Sequence, residues 1–376
     1  MRKTKLKIGG RLDRYVLTLF SASYSVAFFL VVGMFLILDM VGHIDEFMEI
    51  GPDGSSASTA DIVRYYIYNT PFIYLQVAPF VTLIAGLFTA SKLVRNNEIV
   101  AALNAGVSAQ RLIAPVLFGG FVLGGAMFGL REWATEGFGY RRDLALHRVL
   151  ERQPELVYEQ IWLKDPHRFG TNLVRIEKFQ DGAAGGSGAL ITGLVATIKT
   201  EEGLSALSAR TATYEGNQEK GRWRLEDGIF QVLTGSDDDP VPIDWLEGVE
   251  FTPGDVYVQW KGQERPLDLS FRETTELWRR DRDNVQFQTL VEYLKTFPLA
   301  NIVLLLVGLP FLVSYGRGRR SERMVAGFIL CIFYFAADFV TRTLGMQGTL
   351  DPMMASWLPV LFFGSLGIVF FSSMRT

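Results

Sequence analysis

The stretch that decides the fold is YVLTLFSASYSVAFFLVVGMFLIL, residues Tyr15–Leu38, which carries no charged side chain. A bilayer core about 30 Å thick is crossed by about 20 helical residues, so an uncharged run of this length predicts a membrane span. The apolar region of a removable signal peptide is shorter, and no small-residue cleavage pattern follows Leu38. We therefore expect a retained transmembrane helix.

Five further segments have the length and apolar character of membrane spans. They are Tyr65–Ser91, Leu112–Leu130, Phe297–Tyr315, Met324–Val340 and Met353–Met374. Hydrophobic residues make up 49% of the 376 residues and cluster in these runs, which excludes an ordinary soluble protein. The net charge of −3 gives no basic field for nucleic acid. The single cysteine, Cys331, excludes an intrachain disulfide.

Basic residues in the short loops predict an orientation. They are abundant before the first span, between spans two and three, and between spans four and five. They are scarce in the loops formed by residues 41–64 and 343–356. Because loops rich in Lys and Arg stay in the cytoplasm, we expect both termini there and the long segment between spans three and four outside.

That long segment has the pattern of a β domain, with alternating apolar and polar residues between Gly-rich and Asp-rich turns. We expect strands at Asn172–Phe179, Leu204–Tyr214, Arg222–Leu233 and Asp255–Lys261, after a charged helix at Glu136–Gln153 and before helical residues at Thr274–Lys295. The predicted fold class is six transmembrane helices plus an all-β, jelly-roll-like domain. The predicted domains are 1–135, 136–273 and 274–376. Alternation leaves open whether the β interior holds a lipid or the domain binds a protein.

Residues 92–111, KLVRNNEIVAALNAGVSAQR, predict a short amphipathic helix along the membrane surface between spans two and three. Asn96 and Asn97 are suitable N-caps, and Glu98 falls in the first turn, where the helix dipole favours an acid. Gly106 fits a C-terminal stop, and Ser108 can cap the next helix. A plain connector helix has the same features, so the residues alone leave its role open.

This loop resembles the coupling helix of the LptF/LptG permeases of the lipopolysaccharide export system, where an acidic residue precedes a small-residue stretch and a turn. Four other stretches resemble that family in the same order: LDRYVLTLF (12–20), REWA (131–134), IWLKDPHRFGTNLVRIEKF (161–179) and VEYLKTFPLANIVLLLVGLPF (291–311). The form of 161–179 is closer to the LptG side. The resemblance extends over essentially the whole chain.

The resemblance implies a permease subunit of an ABC transporter in the inner membrane of a diderm bacterium, with its β domain in the periplasm. Its expected partners are a second LptF/LptG-type permease, two LptB-type ATPases, LptC/LptA-type bridge proteins, and lipopolysaccharide or a related lipid. The chain would then be a transport subunit without a cofactor or metal of its own, and no GxxxxGK[ST] loop occurs in it. The alternative is a membrane-anchored envelope scaffold whose β domain binds a partner protein.

The resemblance also assigns candidate sites. For coupling to the ATPase they are Arg95, Asn97, Glu98, Ala102, Gly106 and Arg111. For a lipid cavity with a lateral gate between spans one and five they are Phe28, Phe29, Val32, Phe35, Leu36, Asp39, Phe335, Asp338, Phe339 and Arg342. For a groove in the β domain they are Val174 and Ile176.

Two further features concern the candidate cavity, one from residue spacing and one from the comparison with the resembled family. Asp338 and Arg342 are four residues apart, so they lie on one helical face and can pair. Family members often carry a basic residue near the outer end of the first span, facing the phosphates of the lipid. The corresponding stretch here, LILDMVGHIDEF (36–47), has no Lys or Arg. This departure leaves room for a modified or different lipid.

Overall fold

The computed structural model describes residues 10–48, 58–150, 157–165, 172–182, 188–200, 203–217, 220–233, 239–313 and 320–374. The helices are α1 (Arg11–Gly42), α2 (Ile44–Met48), α3 (Thr59–Arg95), α4 (Glu98–Asn104), α5 (Ala109–Leu150), α6 (Pro253–Glu264), α7 (Phe271–Arg280), α8 (Val285–Thr296), α9 (Ala300–Val313), α10 (Arg320–Met346) and α11 (Pro352–Ser372). The strands are β1 (Val157–Asp165), β2 (Asn172–Gln180), β3 (Leu190–Thr200), β4 (Gly203–Asn217), β5 (Lys220–Glu226), β6 (Ile229–Val232) and β7 (Val241–Pro242). Single 3-10 turns occur at Pro266–Asp268 and Phe297–Leu299.

Six helical stretches of the described chain are long and apolar enough to cross a membrane: Arg11–Gly42, Thr59–Arg95, Ala109–Val149, Val285–Val313, Val325–Met346 and Pro352–Ser372. The predicted spans fall on these six stretches, most of which run further because polar residues continue the helices. The predicted charged helix at Glu136–Gln153, for example, is the far end of α5 up to Leu150, and its last three residues lie outside the described part of the chain.

The chain forms two compact units. The first comprises Met1–His43, Asn69–Ala134 and Glu292–Thr376. Its centre is α9, which is buried along most of its length. The backbone of α5 closely approaches the 3-10 turn that precedes α9: a Cβ atom added at Gly124 would lie 2.6 Å from the Pro298 carbonyl oxygen. Small residues that allow such approach are typical of helix contacts in membranes.

A buried polar contact also joins this unit internally. The Thr82 hydroxyl on α3 donates to the Asn301 side-chain oxygen on α9, 2.7 Å away. The Asn301 amide nitrogen donates to the Pro298 carbonyl oxygen at 3.1 Å. Asn301 is 1% exposed and Thr82 is fully buried, so these bonds satisfy polar groups that have no access to water.

The second unit comprises Ile44–Tyr68 and Thr135–Val291 and contains the β domain. Its antiparallel strands follow the order β1-β2-β3-β4-β6-β7, and β5 also pairs with β4. The fifteen-residue β4 pairs with β6 through Ser205–Ser208 and with β5 through Thr211–Asn217. The fold class of six membrane helices plus a jelly-roll-like β domain is thereby confirmed.

Apolar residues line the inner face of this sheet in cross-strand rows. One row is Leu163, Val174, Ala196 and Leu207, and the next is Ile161, Ile176, Leu194 and Ala209. All eight side chains are buried. The predicted strands at Asn172–Phe179 and Leu204–Tyr214 are confirmed as β2 and β4, and their buried apolar residues lie on this inner face because successive side chains of a strand point to opposite faces.

The predicted strand at Asp255–Lys261 is wrong, because these residues lie in α6. The Thr252 hydroxyl accepts from the Asp255 amide at 3.3 Å, and the Asp255 carboxylate accepts from the Thr252 amide at 2.8 Å. This capping box, followed by Pro253 in the first turn, starts a helix despite the alternating pattern. Val256 and Trp260, four residues apart, contribute to the hydrophobic core of the β domain.

The predicted strand at Arg222–Leu233 is two strands rather than one. β5 ends at Glu226 and β6 begins at Ile229, and Asp227 between them has a φ of 54°. This left-handed conformation turns the chain, and Asp is among the few residues besides glycine that tolerate it.

A buried charge cluster holds the far end of α5 within the second unit. Asp143, whose side chain is 2% exposed, accepts hydrogen bonds from Arg142 at 2.9 Å and Arg265 at 3.1 Å. Its second oxygen accepts from the Tyr257 hydroxyl at 2.9 Å. Arg142 also pairs with Asp268 at 2.8 Å. The cluster joins α5 to α6 and to the 3-10 turn that follows α6.

We expect Asp143→Ala to destabilise the second unit by about 3 kcal/mol, because it leaves buried cationic groups without their partner. Amide hydrogen exchange in β2 and β3 of the detergent-solubilised chain should become roughly a hundredfold faster. Arg210→Ala is the control, because the side chains of its ion pair with Asp227 are 80% and 73% exposed and its loss should leave the exchange rates unchanged. Equal exchange rates for the two variants would contradict the assigned role of the cluster.

Candidate functional site

The loop between the second and third spans contains the predicted short helix, α4. It ends where Gly106 adopts a φ of 79°. The Gly106 amide donates to the Leu103 carbonyl oxygen, and the Val107 amide donates to that of Ala102, both at 2.9 Å. These two backbone hydrogen bonds form a Schellman motif, in which glycine is the favoured residue. The Ser108 hydroxyl accepts from the Arg111 amide at 3.3 Å and caps α5, as predicted.

The start of α4 differs from its prediction. Asn97 occupies the N-cap position directly before α4. Its backbone lies in the left-handed region with φ 56° and ψ 21°, and its side chain makes no capping hydrogen bond. Asn tolerates this conformation better than most residues, so Asn97 makes the turn from α3 into α4. The side-chain amide of Asn96 donates instead to the Glu98 carboxylate at 3.0 Å.

Glu98 is also attached to the first span. The Tyr15 hydroxyl on α1 donates to Oε1 of Glu98 at 2.9 Å. The two residues are 83 positions apart, so their contact depends on how α1 packs against the loop. Sequence reasoning missed Tyr15, because an aromatic residue near a span end is ordinary and carries no signal of this bond.

Arg111 at the other end of the loop is attached to α1 as well. Its guanidinium donates to both carboxylate oxygens of Asp13, at 2.6 and 2.8 Å. The Asp13 side chain is 5% exposed and that of Arg111 is 25% exposed. Fork-shaped pairs of this kind are among the strongest charge-assisted hydrogen bonds. Asp13 also accepts from the Gly10 amide at 3.2 Å, which satisfies a free amide before α1.

A third contact links the loop region to the last span. The Gln110 side-chain amide donates to the carbonyl oxygens of Phe371 at 3.0 Å and Ser372 at 3.3 Å. Carbonyl groups in the last turn of a helix have no partner within that helix, and Gln110 supplies one. The first turn of α5 therefore contacts both α1 and α11.

Three of the remaining predicted coupling residues form the outer surface of this region, and the fourth, Ala102, packs against the core of the first unit. Arg95, Asn97 and Gly106 are exposed, and Ala102 is half-buried. Ile99, one position after Glu98, is 3% exposed and lies in the hydrophobic core of the first unit. The loop thus has one face attached to the spans and one exposed face.

The predicted gate residues divide into two groups. Val32 is 2% exposed, and Phe28 and Phe335 are partly buried against the core of the first unit. In contrast, Phe29 is 75% exposed and Phe339 is 62% exposed. Phe35 is also exposed, whereas Leu36 and Asp39 are half-buried.

The inward gate residues of α1 and α10 both contact α3. Phe28 lies 5.5 Å from Tyr74 between ring centroids, and Phe335 stacks on Phe80 at 3.8 Å. Tyr74 and Phe80 are six residues apart, which places them roughly 120° apart around a helix of 3.6 residues per turn. Phe28 and Phe335 therefore lie on different sides of α3.

The predicted Asp338–Arg342 pair is not among the ion pairs of the described residues. Asp338 is 9% exposed. The Arg342 guanidinium lies over the Tyr293 ring instead, 4.3 Å from its centroid. A cation over an aromatic face is stabilised by the ring quadrupole, most strongly where water is scarce.

The predicted β-domain groove residues, Val174 and Ile176, are fully buried. They point into the core that α6 helps to cover. A separate cavity of about 550 Å³ lies in this unit and is lined by residues that include Trp223, Trp245 and Glu250. Neither Val174 nor Ile176 lines it.

A comparison with models of known protein families shows which family this chain belongs to. The family model of the lipopolysaccharide export system permease LptF/LptG matches residues 14–373. The chain belongs to the LptF/LptG family. No individually curated protein matches it.

Family membership explains several features of this LptF/LptG chain. The family is the permease of lipopolysaccharide export, which requires a multi-pass membrane protein. The match spans all six apolar helices and the β domain, and every predicted site residue lies within it. In the part of the chain that the structure describes, no group of at least three His, Cys, Asp or Glu side chains is arranged to hold a metal ion.

Proposed function

We propose that this chain extracts lipopolysaccharide, or a related envelope lipid, from the inner membrane and passes it to periplasmic bridge proteins of LptC/LptA type. Two LptB-type ATPases supply the energy, and a second LptF/LptG-type permease completes the passage. The observation that carries the proposal is the coupling loop, residues 92–111: it is attached to α1 through Glu98 at the start of α4 and Arg111 in the first turn of α5, and its other face is exposed. An LptG-like role is favoured by the form of residues 161–179.

The proposed orientation places both termini and α4 in the cytoplasm and the β domain in the periplasm. The basic residues of the short loops support it, because Lys and Arg are retained on the cytoplasmic side. Among the described residues, Lys92, Arg95 and Arg111 flank α4, so α4 lies at a basic membrane face.

The proposed gate forms between two permease chains. Exposed apolar side chains occur along α1 and α10, and Phe29 and Phe339 are the most exposed of the predicted gate residues. Within one chain, Phe28 and Phe335 lie on different sides of α3, so the two gate helices do not close on each other through these residues. An α1 helix from one permease facing α10 from another would close the cavity laterally.

The proposed route then enters the β domain through its core. Val174 and Ile176 are fully buried, so acyl chains reach them only when the cover of the sheet moves. That cover includes Trp260 of α6 and Phe251, which contribute to the same core. Residues 36–47 contain no Lys or Arg, so this stretch supplies no cationic side chain for lipid phosphates, which is compatible with a modified or different lipid.

Cysteine labelling tests the orientation. In a Cys331→Ala background, an impermeant maleimide added to cells with a permeabilised outer membrane should label Arg210→Cys. It should label Asn97→Cys only after the inner membrane is disrupted. Both positions are exposed, so labelling depends on the compartment. The reverse pattern would show that the proposed orientation is wrong.

A charge reversal tests the coupling role. We expect Glu98→Lys to weaken co-purification with the ATPase by about 2 kcal/mol or roughly thirtyfold, because a cationic partner group would face a like charge. Glu136→Lys is the control, since it makes the same change at an exposed position of α5 on the proposed periplasmic side. Normal assembly and export by Glu98→Lys would reduce α4 to a plain connector.

Photo-crosslinking tests the route and the alternative. Photoreactive residues at Phe35, Phe339 and Val174 should each capture lipopolysaccharide, and capture at Val174 should require ATP hydrolysis. A photoreactive residue at Phe362, which is 62% exposed on α11, controls for simple exposure to the membrane. Capture on the spans with no capture at Val174 during turnover would favour an envelope scaffold role for the β domain.

A further inference from the structure

The first turns of α1 are attached to both ends of the coupling loop. Tyr15 bonds to Glu98 where the loop helix begins, and Asp13 bonds to Arg111 where the next span begins. Tyr15 and Asp13 are only two residues apart. A displacement of the loop as a body therefore has two points at which it can pull on α1.

The two oxygens of Glu98 are used unequally. Tyr15 and Asn96 both donate to Oε1, at 2.9 and 3.0 Å. Among the hydrogen bonds of the described residues, none goes to Oε2. A carboxylate has acceptor sites on both oxygens, so Glu98 can bind a cationic side chain through Oε2 while Tyr15 holds Oε1.

The two attachments differ in strength. The Asp13–Arg111 pair is bidentate and nearly buried on the Asp13 side. The Tyr15–Glu98 bond is a single hydrogen bond at the surface, with Tyr15 45% exposed. Water competes for the exposed bond, so it breaks and forms more easily than the pair.

α1 is also the span that is least enclosed by its own chain. Only 17% of the residues in its apolar stretch are buried, compared with 72% of the residues in the apolar stretch of α3. Most of α1 therefore has few packed neighbours within its own chain and moves at low energetic cost, although Val16, Leu19 and Phe20 of its first turns are buried.

We propose that Tyr15 and Asp13 are positioning residues that make α1 move with the coupling loop. Glu98 is the residue that links the ATPase to Tyr15. Its Oε2 engages a cationic side chain of the ATPase, and its Oε1 transmits the movement to Tyr15. Asp13 and Arg111 keep the base of α1 aligned with the loop while this happens. The proposal rests on the proposed function and adds the path from the ATPase to the first span.

Tyr15→Phe is the direct test, because it removes only the hydroxyl. In the reconstituted complex of the full chain with its ATPase and second permease, we expect unchanged ATPase association and continued ATP hydrolysis. Lipid exported per ATP hydrolysed should fall about threefold to tenfold, the effect of losing one partly exposed hydrogen bond to a charged group. Tyr24→Phe is the matched control: it removes another hydroxyl of α1, bonded to Tyr74 at 2.6 Å rather than to the loop.

A charge exchange tests the second attachment. Asp13→Arg and Arg111→Asp should each lower export per ATP, and the double variant should restore it to at least half of the starting value. Purified yield and thermal stability are measured alongside, so that a general folding defect is recognised. The double variant keeps the test informative if a single variant does not fold.

The outcomes separate this proposal from the function on which it rests. Normal export per ATP in Tyr15→Phe, equal to that of Tyr24→Phe, would overturn the role of Tyr15 even if the complex exports lipid. Failure of the double charge exchange to restore coupling, with stability restored, would overturn the role of Asp13. Failure of the unaltered chain to bind an ATPase would instead refute the proposed function.

Discussion

The hydrocarbon core of a membrane offers no hydrogen-bond partner to a peptide group, and this constraint shapes the first unit. Each apolar run must satisfy its backbone internally, which is why six of the described helical stretches are long and apolar. Polar side chains inside the spans then need partners of their own, as in the bond between Thr82 and Asn301. Most of the remaining polar chemistry is found at the helix ends, where carbonyl and amide groups lack partners within the helix. The bonds of Gln110 to the end of α11 and of Asp13 to the Gly10 amide arise from this requirement.

The same physics explains which features could be predicted from the sequence. Span length and composition are local properties, so all six spans were found. The stop at Gly106 and the cap at Ser108 were also found, because one residue type suits each position. The prediction for 255–261 failed because a capping box at Thr252 outweighs an alternating pattern only seven residues long. A short alternating pattern is compatible with either a strand or a helix, and the capping residues at its start then favour one of the two.

Contacts between distant residues were beyond the sequence. Tyr15 and Glu98 are 83 positions apart, and Asp13 and Arg111 are 98 positions apart. Each residue is ordinary in its own segment, so only the packing of α1 against the loop shows that they bond. The Asp338–Arg342 spacing allowed a pair, but Tyr293 from α8 lies under the Arg342 guanidinium in the folded chain. A residue brought from another helix competes with the partner four positions away, and sequence spacing contains no information about such a competitor.

Burial of charge distinguishes the rigid parts of this permease from the parts that can move. Removing a partner from a nearly buried pair such as Asp13–Arg111 leaves a desolvated charge, so the pair resists opening during a transport cycle. The Tyr15–Glu98 bond is exposed, and water can replace either partner at little cost. A loop joined to α1 by one durable and one exchangeable contact can keep the first while the second changes. The geometry at the start of α1 therefore suits an element that must move repeatedly without detaching from the span it drives.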